Sequence, residues 1–486
     1  MKKLLTLCII MMSVILLSTH DEVKAYDKND FAIFCKELTV IKNHCKFQEG
    51  YIELAERVPT FIESIEEDKQ EQMRQKLSEI IVQKLQNWSF SQQKKNMYLH
   101  IAFVSEIETS TLTKLMQKST WENTDWSNKN NTNEFSQEKE ALDDFIRNQM
   151  TEQGLPAIAT IVFKNDNILY ESYFGKANRE ENIDLAKDHL FLIGSISKTI
   201  TATALLRLYD QGKFDLDDEI NKYLPFEVNV PNQTTPITFR MLLTHTASLS
   251  DWEALYGNYT YGGDTDITLA SFIESYFSEN GSRYYEDENF LDAEPGTTFE
   301  YSNAGTALIG VLVEEISGIS FTDYTQQHIF TPLNMKTTSW TLENITQTIS
   351  QPYEKEGDEF VAVDHYTFPD YPNGWLRTTP RELSIFISTL TNKWSFNNYV
   401  LLEESTVDQM LQLQVPLIDE TVGLHMFLTQ EELGLWGHNG WEQWVSTEMV
   451  FDPISKVGII IFTNTSDADL EGMYIKGFEL GKKMNQ

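Results

Sequence analysis

Two widely separated stretches of the sequence carry the same pattern, and together they constrain the fold more than any other feature. In residues 157–177, AIATIVFKNDNILYESYFGKA, two runs rich in Val, Ile, Tyr and Phe flank KNDN; in residues 444–464, WVSTEMVFDPISKVGIIIFTN, two such runs flank DPISK. β-Branched and aromatic runs on either side of a turn are hairpin signals. An amphipathic helix precedes the first hairpin (EKEALDDFIRNQMTEQG, stopped at Gly154) and another follows the second from about Asp467. The sequence between, 195 to 430, is mostly helical and loop-like, without internal repeats. A hairpin near each end of a region, with helices between, predicts an α/β (α+β) fold: one antiparallel sheet flanked by helices, with a helical subdomain and the two ends of the region brought together.

At 486 residues the chain exceeds a typical single domain, and four parts are legible. Residues 1–25 read as a signal peptide: Lys2 and Lys3, an apolar run from Leu4 to Leu17, then Val23 and Ala25 at a cleavage-site spacing. The run is shorter than the roughly 20 residues that span a bilayer. The expected mature protein is therefore exported, to the extracellular space or the cell envelope or periplasm, with no stable membrane span after cleavage; a short uncleaved anchor is the alternative. Residues 26–120 form a small N-terminal helical region of unassigned role, with apolar residues at helical spacing from Tyr51 to Leu85. Once Cys8 departs with the signal, Cys35 and Cys45 remain as an even pair, either a disulfide or two buried thiols. Residues 121–137, WENTDWSNKNNTNEFSQ, read as a linker, and residues 138–486 as the main domain.

The chain has 38 Lys and Arg against 73 Asp and Glu, a formal charge of -35, spread without long single-sign blocks. Nucleic acid and anionic membrane surfaces would be repelled, so neither is expected as a partner. No clustered His, Cys or Glu at metal-ligand spacing and no phosphate-binding glycine loop occurs, so no metal and no cofactor is expected.

Three short motifs carry the chemistry. In FLIGSISKTITATALLRLYDQG, residues 191–212, a helix apolar nearly all round holds Ser195 and Lys198 on one face near its start. Burial and the positive end of a helix both disfavour an ammonium there, and a lysine made less basic can take a proton from a neighbouring hydroxyl. Ser-x-x-Lys also occurs at Ser91/Lys94 and Ser136/Lys139, in polar surroundings that read as surface. Second, Tyr301 and Asn303 follow a Pro-Gly turn and precede another apolar helix, whereas Tyr256/Asn258 and Tyr371/Asn373 lack that context. A nearby ammonium would stabilise the Tyr301 phenolate for general-base work; a buried tyrosine with one hydrogen bond is the structural alternative. Third, His438, Asn439 and Gly440 in LWGHNGWEQW form the one His-x-Gly of the chain, expected to open the first C-terminal strand. A Gly on an edge strand lets a substrate approach the backbone.

Ser-x-x-Lys, Tyr-x-Asn and His-x-Gly in this order resemble the serine β-lactamase and penicillin-binding-protein-like hydrolases, on the class C side. LLTHTASL (242–249), IFTPLNMKTTSW (329–340) and NGWLRTTPRELSIFI (373–387) extend the resemblance, which covers about residues 138–484. It implies an acyl-enzyme mechanism. Ser195 attacks a carbonyl, Lys198 and Tyr301 manage the proton, Asn303 orients the acyl side, and the N–H groups of Ser195 and Trp441 hold the oxyanion beside His438 and Gly440.

This sequence departs from the family pattern in two places. β-Lactamases of this branch usually carry Lys-Thr-Gly, whose ammonium helps anchor the antibiotic's carboxylate; His438 stands there, as in the DD-peptidase, D-aminopeptidase and esterase relatives. Ala247-Ser248 replaces the usual Ser-Gly, which bears on the conformation of that turn. The resulting expectation is a secreted serine hydrolase acting on small peptide, amide or ester substrates, peptidoglycan fragments among them. A true β-lactamase, or a non-catalytic or slow-turnover receptor for β-lactams or peptidoglycan, are the alternatives.

Overall fold

The computed structural model describes residues 132–484, apart from Ala254, Asp358 and residues 392–394 and 397–398. The expected signal peptide, the 26–120 region with its cysteine pair, and most of the 121–137 stretch lie outside the described residues. Helix α1 (Thr132–Gln153) begins inside the stretch read as linker, because the amphipathic run that buries Leu142 and Ile146 extends its helix back through the polar residues ahead of it. It ends at Gly154, whose φ of +73° suits glycine.

Both hairpins form. β1 (Ala157–Lys164) pairs with β2 (Asn167–Asn178), and β3 (Ile183–Asp184) adds to β2. A strand that the sequence reading passed over, β4 (Phe427–Gln430), precedes β5 (Leu435–Glu442), β6 (Val445–Phe451) and β7 (Val457–Thr463). The sheet runs β4-β5-β6-β7-β1-β2-β3, antiparallel throughout. β1 lies against β7 with Ile161 opposite Ile460, so the two hairpins zip together at the centre of the sheet.

Between the hairpins lie α2 (Ser197–Asp210), α3 (Leu269–Phe277) and α4 (Asn303–Ser317), with α2 and α3 both packed against α4, followed by α5 (Pro380–Thr391) and then, after the sheet closes, α6 (Glu471–Lys483). Alternation along the strands sorts the core. Ile158, Val162, Ile459 and Ile461 meet α1 and α6, while Ala159, Ile161, Phe163, Ile460 and Phe462 meet α5 and the helical part. With both faces covered, β7 is buried at every position, which is why it reads as continuous apolar sequence. α6 lies close on the sheet because Gly477 and Gly481 face it: a Cβ on Gly477 would stand 2.1 Å from Ile459 Cδ1. No single described helix is long and apolar enough to cross a membrane.

Candidate active site

Ser195 sits in a single 3-10 turn, Gly194–Ile196, that leads into α2. The turn is clamped from both sides. Ahead of it, Phe191 and Leu192 pair with Thr378 and Arg377, the Ile193 N–H donates to Leu376 O (3.0 Å), and the Ile193 carbonyl accepts from Thr447 Oγ1 of β6 (2.8 Å). Gly194 has φ +54° and packs on β5, where a Cβ would stand 3.0 Å from Trp441 N. Only glycine allows both that dihedral and that approach. The backbone of Trp441 thus lies directly beside the turn that carries Ser195.

Lys198, on the first turn of α2, is fully buried, and its Nζ lies 3.0 Å from Ser195 Oγ and 2.6 Å from the Asn373 carbonyl, to which it donates. Burial pushes its pKa from 10.5 down to about 7, against the opposing pull of Asp251, Glu442 and Asp370. Near neutral pH much of it is free amine, able to accept the Ser195 proton. This is the arrangement the apolar helix predicted, with desolvation as the cause.

Tyr301 meets the same cluster but with a different electrostatic sense. The Lys198 ammonium lies over its ring, 4.9 Å from the centroid, and burial raises the phenol's pKa although a hydrogen bond with Ser195 pulls the other way. Burial thus favours a neutral phenol over the phenolate expected from the sequence. A neutral hydroxyl beside Ser195 suits proton relay between serine and leaving group. The Tyr301 ring lies 4.6 Å from that of His245, tilted by 30°, and His245 is stacked parallel to His425 at 4.4 Å. His245 Nδ1 accepts the Ser302 N–H at 3.1 Å, fixing the residue after the tyrosine.

Asp251, absent from the sequence reading, holds the start of α4. It accepts from Asn303 N (2.7 Å), Ala304 N (3.0 Å) and Ser302 Oγ (3.0 Å), a carboxylate at the positive end of a helix. Ser302 caps the same end by accepting from Gly305 N. Asn303 donates through Nδ2 to Tyr256 OH (3.3 Å). So two motifs set aside on context still reach the site, Tyr256 through its hydroxyl and Asn373 through its carbonyl. Ser136 and Lys139 lie on α1, and Ser91 and Lys94 lie outside the described residues. In the 245–249 turn, Ser248 adopts φ +57°, so the backbone keeps the left-handed geometry that glycine favours.

His438, Gly440 and Glu442 alternate along one side of β5, and Asn439 and Trp441, both exposed, along the other. β5 is an inner strand, contrary to the expectation that it would come first. However, β4 pairs only with Leu435, Trp436 and Gly437, so residues 438–442 have β6 on one side and no strand on the other. Gly440 touches the nucleophile's support: a Cβ there would stand 2.1 Å from Ile193 O and from Thr447 Oγ1. His438 is buried, its Nδ1 lies 2.6 Å from Asn439 O, and burial pushes its pKa to about 3, so it is neutral. Glu442 reaches Gly374, where a Cβ would be 3.7 Å from its Oε2 and 3.9 Å from Gly194 C. Asp370, buried and raised to about 7 by desolvation, accepts from Asn373 Nδ2 at 2.6 Å. Acidic groups, with a neutral His438, thus surround the lysine.

The sheet, the helical part and a serine–lysine–tyrosine cluster where they meet define a class of protein, one built to activate a serine at the mouth of a buried helix. Residues 142–479 match the family model described as Beta-lactamase, and the chain belongs to that family. It is 24% identical over 267 residues to Protein flp of Staphylococcus aureus (strain MW2), covering 54% of this chain and 50% of that one. It is 31% identical over 206 residues to Penicillin-binding protein 4* of Bacillus subtilis (strain 168), covering 42% and 39%. The chain thus spans about half the length, or less, of these curated relatives. Among solved structures, a class C beta-lactamase superposes with a TM-score of 0.57 at 18% identity, covering 72% of this chain and 97% of that one. The D-amino acid amidase from Ochrobactrum anthropi SV3 complexed with D-phenylalanine also superposes with a TM-score of 0.57, at 20% identity, covering 73% and 100%. These likenesses establish the fold.

Proposed function

We propose that the protein is an exported serine hydrolase that forms an acyl-enzyme on Ser195 from amide, peptide or ester substrates. The observation that carries this reading is the fully buried Lys198 amine, 3.0 Å from Ser195 Oγ, with its pKa lowered to about 7 by burial. As Oγ bonds to the substrate carbonyl carbon, its proton passes to Lys198 Nζ, and the oxyanion is met by the N–H groups of Ser195 and Trp441. The proton then reaches the leaving nitrogen or oxygen through the neutral Tyr301 hydroxyl as that bond breaks. Water, deprotonated by the same pair, cleaves the ester to Ser195 and restores the enzyme. Asn303, held by Tyr256, is placed to meet the acyl side, and the open side of residues 438–442 can take an extended substrate as an added strand.

The electrostatics favour the D-aminopeptidase or esterase type over reactions whose substrate places a carboxylate beside Lys198, β-lactams and D-Ala-D-Ala peptides alike. His438 supplies no positive charge, and Asp370 and Glu442 would oppose a substrate carboxylate placed beside Lys198. The D-amino acid amidase relative supports amides as a substrate class. Export rests on the N-terminal sequence alone. The test is a panel of p-nitrophenyl acetate, D- and L-aminoacyl p-nitroanilides, a D-Ala-D-Ala peptide and nitrocefin. Turnover of an ester or amide that Ser195→Ala abolishes, with slow or no nitrocefin cleavage, is expected; nitrocefin as the best substrate would reverse the assignment.

A further inference from the structure

The least compensated charge among the described residues lies outside the catalytic cluster. Arg377 is 1% exposed, and no ion pair among the described residues involves it. Its Nη2 donates to Tyr366 O at 3.1 Å, and its guanidinium lies 3.7 Å above the Trp375 ring. Nε and Nη1 have no acceptor. Asp264, the carboxylate whose field reaches it, already accepts from Leu342 N at 2.8 Å and Glu343 N at 3.0 Å. Stacking on an indole offsets only part of the cost of burying a guanidinium. A buried cation with two idle donors calls for an anion.

A small cavity adjoins Arg377. Arg377 lines it with Ser350, His365, Leu192, Phe191 and Val445. Ser350 Oγ is buried and also lacks a partner, so a hydroxyl donor joins the two guanidinium donors. His365 is neutral, its pKa lowered to about 4 by burial and by Arg377, so it brings no second positive charge. The enclosed space accommodates about one water-sized particle. Space this small favours a monatomic anion over phosphate, sulfate or a carboxylate, and a water would satisfy the donors without balancing the charge.

We propose that this cavity binds one monatomic monovalent anion, chloride in kind, between the Arg377 guanidinium and the Ser350 hydroxyl. The site has structural leverage on the catalytic turn. Arg377 pairs with Leu192, three residues before Ser195, and Leu192 is itself a wall of the cavity. An anion there holds the strand pair that presents the nucleophile, without touching substrate.

Bromide is the probe. Crystals of the full chain soaked in sodium bromide should give an anomalous peak in contact with the Arg377 guanidinium, and density there without anomalous signal would overturn the proposal. In solution, the wild-type Tm should climb with the logarithm of chloride concentration, but not with gluconate at equal ionic strength. Arg377→Met should remove that difference, with a Tm in gluconate at or above wild type. Equal responses to the two salts in the wild type would overturn the proposal. If Arg377→Met does not fold, Ser350→Ala carries the test. Losing one donor should raise the chloride needed for half the effect about tenfold, and an unchanged midpoint would refute the assigned pocket.

Discussion

Replacing Lys198 by Met should abolish activity and make the fold more stable, with a pH dependence set by burial. In the native protein the ammonium is fully buried and its pKa falls from 10.5 to about 7; in the unfolded chain it is ordinary. Below pH 7 both states carry the proton, and the native state bears the whole penalty. A gap of about 3.5 units at 1.36 kcal/mol each gives a ceiling of about 5 kcal/mol. Between pH 7 and 10.5 the native lysine is neutral while the unfolded one still binds a proton, so the penalty shrinks by about 1.4 kcal/mol per pH unit and vanishes above that range. Methionine has similar reach and no charge at any pH. The lost contacts to Ser195 Oγ and Asn373 O subtract roughly 1–2 kcal/mol at every pH. Urea melts of both proteins at pH 6, 7.5 and 9 give the difference. The variant's advantage should be largest at pH 6 and decline towards pH 9. A difference that is flat or grows with pH would refute the buried-amine argument.

Four further outcomes follow from the same geometry. The kcat/KM for an ester should rise with pH along an acid limb of slope one with a midpoint near 7, since the free amine of Lys198 is the reactive form; a midpoint above 9 would contradict this. Gly440→Ala should cost about 1–3 kcal/mol and most of kcat, because its Cβ meets Ile193 O, and a fully active variant in denaturation and rate assays would rule out that contact. Asp251→Ala removes three accepted hydrogen bonds at the start of α4, so a loss of about 2 kcal/mol, with a lower kcat, is expected in thermal melts and steady-state assays. Ser248→Gly relieves a left-handed dihedral at the cost of extra unfolded-state entropy, for a net gain of up to about 1 kcal/mol by denaturant titration.

The hairpins were legible because each residue type argued for the same state: Val and Ile runs, a polar turn and a covering helix agree. The helix of Lys198 was legible for the same reason, its apolar residues leaving no solvent face. β4 was not, since Phe427–Gln430 is too short to show alternation and is defined by its pairing with Gly437 and Trp436. Asp251 and Asp370 escaped notice because an acidic residue in a loop looks like surface until the fold supplies the helix end or the buried asparagine it binds. Asn373 contributes a carbonyl, and no residue type marks a carbonyl in a sequence. The charge state of Tyr301 was not legible in the sequence because it depends on how deeply the fold buries the phenol.

The account's central claim is that Ser195 is the nucleophile activated within this cluster, and intact-protein mass spectrometry after exposure to a fluorophosphonate tests it most directly. The wild-type protein should gain one phosphonyl adduct at Ser195, faster at pH 8 than at pH 6, and folded Ser195→Ala should gain none. An unlabelled wild type, or equal labelling of the alanine variant, would contradict it.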